Sequence, residues 1–255
     1  MGAETPLIRK LQKFVRLSAE DERALDKLVQ ERIQKIGGRE DVAREGDNPE
    51  TLKVILSGWA CRTKMLEDGR RQILSFFLPG DLCELNIYIL REMDHTIAAL
   101  TPLTYAEITR DKFEHVTSQH PRIAQAFWWD TLVAMAVQRE WTLNVGQRTA
   151  LERISHLFCE LFIKLDVIGR TRRNRCEFPL LQSDLGEATG LSTVHVNRTL
   201  RELRSQNLIV LRGKELTIPD LERLKEVAMF NISYLHLEHE SQELDPNEIG
   251  GRAAR

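Results

Sequence analysis

Cysteine is scarce: Cys61, Cys83, Cys159 and Cys176 are scattered, and no two stand close enough in sequence to read as a ligand pair. The spacing that zinc and iron–sulfur sites use is missing, and isolated thiols suit a reducing cytoplasm. Long apolar runs are missing too. No window of about 18 apolar residues occurs, so no membrane span and no membrane partner is expected. The N-terminal MGAETPLIRKLQKF has no apolar core of the kind a secretion leader needs, and Met1-Gly2 is followed by Pro6 where a myristoylation signal has Ser or Thr. Nor is there a nucleophile–base pair, a phosphate-binding glycine loop or a metal constellation, so no enzyme is expected and no cofactor is named. His236 and His239, about one helical turn apart, read as a solvated pair rather than a metal site.

Charge is nearly balanced overall, at net −2, but not locally. Between Arg148 and Lys214 twelve Lys or Arg stand against seven Asp or Glu, a net +5 that leaves −7 for the rest. A basic segment on an acidic chain points to an anionic partner for that segment. A merely solvated face is the bland alternative, and charge alone does not decide between them.

Residues 6 to 31 read as helical, with Leu11, Phe14, Val15, Leu25 and Leu28 apolar and a helix start at Ser18 with Asp21 and Glu22. From 37 to 110 short β-prone runs (LKVILSG, ACRTKML, RQILSFFL, LTYAEIT) alternate with turn residues. Asp68-Gly69 marks a hairpin. This spacing predicts an antiparallel barrel or roll. After Pro121 the pattern turns helical to about residue 145, with a stripe of Ile123, Ala126, Asp130, Val133, Val137, Glu140 and Asn144 at three- and four-residue steps, beside Phe127, Trp128 and Trp129. We read it as a dimerisation helix whose seam uses Ala126, Val133 and Val137; packing on its own barrel is the alternative. A further helix carries Leu151, Ile154, Leu157, Phe158, Leu161 and Phe162, and GRTRRNRCEFP follows as a basic turn and strand.

Residues 181 to 205 fit a helix-turn-helix. QSDLGEATG forms a short first helix ending at Gly190, Leu191 packs into the turn, and Ser192 caps the second helix. Val196, Leu200 and Leu203 share one face. The opposite face carries Thr193, Val194, Asn197 and Arg198, in the N-terminal turns from which a recognition helix reaches base edges. Arg201 and Arg204 continue it. LIVLRGKELTIPD then reads as a two-stranded wing around Arg212-Gly213-Lys214. Base reading is therefore expected of Thr193, Val194, Asn197 and Arg198, and phosphate contact of Ser192, Arg201, Arg204, Arg212 and Lys214 in double-stranded DNA.

With DLGEATGLSTVHVNRTLRELRSQNLI on the page, nearly the whole chain resembles the CRP/FNR family of bacterial transcription regulators. The fold class the resemblance implies is α+β: an N-terminal antiparallel β-roll of the cyclic-nucleotide-binding type (1–118), a long dimerisation helix (119–146) and a C-terminal winged helix-turn-helix (147–238). Residues 239–255 are expected to be a disordered tail. The resemblance also implies a homodimer on a two-fold operator and contact with RNA polymerase. The family's three base-reading positions fall on Thr193, Val194 and Arg198. Arg198 agrees with the family, but a Glu is usual where Val194 stands, so the family's common half-site is not carried over.

Family members that bind cyclic nucleotides hold the ribose with Gly-Glu-Leu and the phosphate with an arginine. Here Cys83 precedes Glu84-Leu85, the region expected to hold the arginine reads Met93-Asp94-His95-Thr96, and Arg91 comes too early. Asp94 would repel a phosphate. A small-molecule effector pocket is expected around Cys83, Glu84, Leu85, His95 and Thr96, with cyclic-nucleotide binding and haem or redox sensing both open. A regulatory module acting on another protein is the alternative to a DNA-binding regulator.

Overall fold

The structure is a computed structural model and describes residues 5–85, 89 and 91–237. His239 and the tail expected at 239–255 lie outside the described residues. The helical N-terminus is two helices, α1 (Pro6–Leu11) and α2 (Ala19–Gln30). Between them Phe14, Val15 and Leu17 are buried. Ser18 restarts the helix through a capping box with Asp21.

The roll is β1 (Ile33–Ile36), β2 (Asp41–Ala43), β3 (Thr51–Ser57), β4 (Ala60–Met65), β5 (Arg71–Phe77), β6 (Thr96–Ala99) and β7 (Leu103–Thr109). They form two antiparallel sheets, ordered β1-β7-β3 and β2-β6-β4-β5, with Asp68-Gly69 in the β4–β5 turn. Leu52, Val54, Ile73, Ile97, Ala106 and Ile108 fill the space between them. A helix that the sequence reading left inside the roll, α3 (Arg110–Gln119), follows directly, with Phe113 stacked on Phe127 at 5.5 Å.

The long helix α4 (Pro121–Gln147) packs on α1, α3 and β5 and on α5 (Ala150–Val167). Here one expectation fails. Ala126, Val133 and Val137 are buried inside this single chain, so they form its own core and not a seam with a partner. The polar interruption at Asp130 has an internal reason: Lys10 Nζ lies 2.6 Å from its Oδ1 and 2.6 Å from Asp81 Oδ1. The large apolar residues that α4 leaves exposed are Trp128, Leu132, Met135, Leu143 and Val145.

The C-terminal part contains β8 (Thr171–Arg172), β9 (Arg175–Glu177), α6 (Gln182–Thr189), α7 (Thr193–Ser205), β10 (Val210–Arg212), β11 (Glu215–Thr217), α8 (Leu221–Ala228) and a short 3-10 turn at Ile232–Leu235. α5 is their common support, packed against α6, α7 and α8. An edge-to-face pair joins this part to the roll, Trp59 on Phe178 at 6.1 Å, and another, Phe76 on Trp141 at 5.8 Å, joins α4 to the roll. Among the described residues no helix is long and apolar enough to cross a membrane.

Candidate nucleic-acid interface

α6 stops at Gly190, whose φ of +68° is the left-handed conformation that glycine adopts without strain. The turn is tight, because a Cβ on Gly186 would stand 2.6 Å from the Leu191 carbonyl oxygen. Ser192 then starts α7, its Oγ accepting from the His195 N–H at 3.3 Å. Val196, Leu200 and Leu203 are buried, joined by Thr199, which the periodicity missed. Their burial turns Thr193, Val194 and Arg198 outward, with Val194 82% exposed. Arg201 and Arg204 are exposed further along.

Asn197 differs from its neighbours. It is half-buried, and its Nδ2 donates to Gln182 Oε1 at 3.1 Å. The wing is part of a four-stranded sheet, β10-β11-β9-β8, so the basic segment 171–177 supports it. Arg212 and Lys214 flank the exposed β10–β11 turn.

The cations of this surface stand without counter-ions. Arg198, Arg201, Arg204, Arg212 and Lys214 make no ion pair among the described residues. Several cations elsewhere are committed, Arg39 to Asp184, Arg71 to Glu187 and Arg148 to Glu140, while others such as Lys35 and Arg139 are also without an ion pair among the described residues. Unpaired cations beside an exposed helix start suit a polyanion that supplies the missing charge.

The roll site is organised around a residue the sequence reading did not single out. Arg62 Nη2 donates to Glu84 Oε2 at 3.0 Å and to the Cys83 carbonyl at 2.8 Å, and Nε donates to His95 Nε2 at 3.2 Å. Its guanidinium also lies 5.3 Å from the Phe77 ring centroid. The other His95 nitrogen lies 2.6 Å from Asp94 Oδ1. Burial, and then the Arg62 charge, hold His95 below its usual pKa despite Asp94. Both ring nitrogens are taken, which leaves no lone pair for haem iron. Burial pushes the Cys83 thiol up to about 12, so it stays protonated and unreactive. Leu85 is half-buried against the core, and Thr96 accepts from the Glu45 N–H at 3.1 Å instead of joining Arg62. Of the expected pocket, Glu84, His95 and the Cys83 carbonyl converge. The glutamate that would hold a ribose is paired with Arg62 through Oε2, and Asp94, held by His95, brings a negative charge that opposes a phosphate there.

An exposed recognition helix, a wing and a row of unpaired cations, carried beside a β-roll, define a DNA-binding regulator with an attached sensor-type domain. Comparison with known proteins agrees. Residues 152–227 match the Crp-like helix-turn-helix domain and residues 34–120 the cyclic nucleotide-binding domain. The chain is 29% identical over 192 residues to the transcriptional activator protein FnrL of Cereibacter sphaeroides, covering 72% of this chain and 75% of that one. It is 25% identical over 213 residues to an anaerobic regulatory protein of Haemophilus influenzae, covering 83% and 82%. FixK2 from Bradyrhizobium japonicum has the same fold, with a TM-score of 0.68 at 23% identity, over 76% of this chain and 96% of that one. The chain belongs to the CRP/FNR family of transcription regulators.

Arg62, Gln182 and the Arg39–Asp184 pair escaped the sequence reading. Each is a polar residue whose partner is distant in sequence, and no local pattern marks such a pairing.

Proposed function

We propose that the protein binds a two-fold DNA operator as a homodimer, with α7 in the major groove. Thr193, Val194 and Arg198 read bases, with Asn197 beside them. Ser192, Arg201, Arg204, Arg212 and Lys214 meet phosphates. The observation that carries this reading is the row of exposed cations on α7 and the wing that lack any internal counter-ion. The dimer forms along Trp128, Leu132 and Met135, which lie at i, i+4 and i+7 and are 71%, 52% and 55% exposed. Large apolar side chains in one exposed row are what a partner helix would cover.

The roll controls DNA binding from the cytoplasm, and its effector is of a class other than cyclic nucleotides. Promoter-bound dimers contact RNA polymerase, as the family resemblance implies. A gel shift of genomic fragments, with sedimentation of the same sample, tests the reading. Specific retardation by a dimer is the expected result. Failure to retard any fragment favours a regulatory module acting on another protein.

A further inference from the structure

Gln182 is the first residue of α6, and Asn197 stands in the second turn of α7. Their side-chain amides meet across the helix-turn-helix at 3.1 Å, and neither side chain has another hydrogen bond among the described residues. An amide offers two N–H donors and an oxygen with two lone pairs. The link uses one Asn197 N–H and one Gln182 lone pair. Asn197 keeps its Oδ1 and a second N–H, which is the donor–acceptor pattern that matches N6 and N7 of adenine in the major groove. Reversing both amides would exchange donor and acceptor but keep the link.

An unrestrained Asn on an exposed helix face samples several rotamers and can turn its amide over, presenting the opposite pattern to a base. A tethered one cannot do so alone: turning it over breaks the link unless Gln182 turns over with it. Gln182 is itself held in place. Asp184, two residues on, caps α6 by accepting from the Leu181 N–H at 2.8 Å and carries Arg39 from the roll.

We propose that Gln182 is a specificity-determining positioning residue: it fixes the Asn197 amide so that the remaining N–H and Oδ1 face the groove as an adenine-reading pair. This rests on α7 being the DNA-reading helix. Gln182 touches no base in this account and acts only through Asn197.

The test is binding-site selection with full-length wild type, Asn197→Ala, Gln182→Ala, the double variant and Gln182→Glu, followed by affinities on the selected site and on variants of it. Asn197→Ala should relax one adenine position in each half-site. Gln182→Ala should relax the same position, with discrimination there falling about tenfold, within the range one bidentate contact supplies. The double variant should be no worse than Asn197→Ala, because the two act as a unit. Gln182→Glu keeps the acceptor for Asn197 and should keep the base preference, while its negative charge weakens all sequences alike. Gln182→Ala reading the site as wild type does, weakening all sequences equally, or adding to Asn197→Ala overturns the role of Gln182 alone. So does an Asn197→Ala protein with undiminished preference. Wild type that selects no sequence overturns the DNA-reading helix and this inference with it.

Discussion

Arg39 of the roll grips Asp184 of α6 with both terminal guanidinium nitrogens, at 2.6 and 2.9 Å. Arg39 holds an unusual backbone, with φ at +71°, and its N–H donates to the Ala99 carbonyl at 2.8 Å. The left-handed conformation is strained for a residue with a Cβ and persists only where the surroundings enforce it. Asp184 is nearly fully buried and caps α6 with its other duty. Less than one turn later Glu187 accepts from Arg71 Nε at 2.9 Å. The roll therefore holds the first helix of the DNA-binding motif directly.

Removing that grip should loosen the two parts. Arg39→Ala leaves the Asp184 carboxylate buried without its cation, and should lower stability by about 1–2 kcal/mol. That is the lower end for hydrogen bonds to charged groups, because Arg39 is itself partly exposed. Arg71→Ala, where both partners are partly exposed, should cost about 0–1 kcal/mol. Urea denaturation measures both. Equal, negligible effects would mean that the roll does not grip α6 in solution.

The proposed dimer face and the core face of α4 should respond differently to the same substitution. Leu132→Glu should give folded monomers by sedimentation, since it places charge on the exposed row. Val133→Glu buries an unpaired carboxylate and should destabilise the fold by several kcal/mol. A folded monomer from Val133→Glu and an intact dimer from Leu132→Glu would reverse the assignment of the two faces.

Sequence alone distinguished these faces poorly, for a physical reason. α4 is apolar on both sides, so periodicity finds a stripe but cannot rank two. The helix-turn-helix was legible because its signals are local: a left-handed Gly190, a capping Ser192 and three apolar residues on one face of thirteen helical positions. The break between α1 and α2 was half-legible, since Ser18 marked a start while Phe14 and Val15 kept a helix-like pattern running across the gap. The Arg62 network was not legible. It gathers residues from β4 and from two loops, and nothing near Arg62 in sequence indicates Glu84 or His95.

His156 makes stability depend on pH. It lies under Phe230 and Tyr234, with ring centroids 4.9 and 5.8 Å away. Nε2 is 3.2 Å from Glu140 Oε1 but off the hydrogen-bonding direction, so neither ring nitrogen has a hydrogen-bond partner. Burial, and then the Arg148 guanidinium, push its pKa from 6.5 down to about 3. Above pH 6.5 the ring is neutral in both folded and unfolded chains. As pH falls from 6.5 towards 3 the unfolded chain takes up a proton that the folded chain refuses, and stability declines. His156→Phe keeps a ring there and should flatten that decline in urea midpoints. Parallel decline in both proteins would mean that His156 does not stay neutral when buried.

Phosphate contact predicts a steep salt response. Arg201, Arg204, Arg212 and Lys214 in each of two subunits make about 6–10 contacts plausible in number, and affinity should then fall about 10³- to 10⁵-fold between 50 and 200 mM salt. Arg204→Ala removes one contact from each subunit, so it should weaken all sequences alike and reduce the slope by about 2. A flat salt dependence in a filter-binding or gel-shift titration would rule out this docking geometry.

The central claim is that the exposed start of α7 reads sequence through Arg198. Its fork can donate two hydrogen bonds to O6 and N7 of a guanine, while Val194, a turn earlier, offers only methyl groups to a thymine methyl. Binding-site selection on wild type and Arg198→Ala measures this directly. The account predicts a two-fold symmetric site for wild type, and for Arg198→Ala the same site with one position relaxed in each half and a loss of about 1–3 kcal/mol per half-site. If both proteins select the same half-site with the same stringency, Arg198 is not a base reader and α7 does not sit in the groove as described.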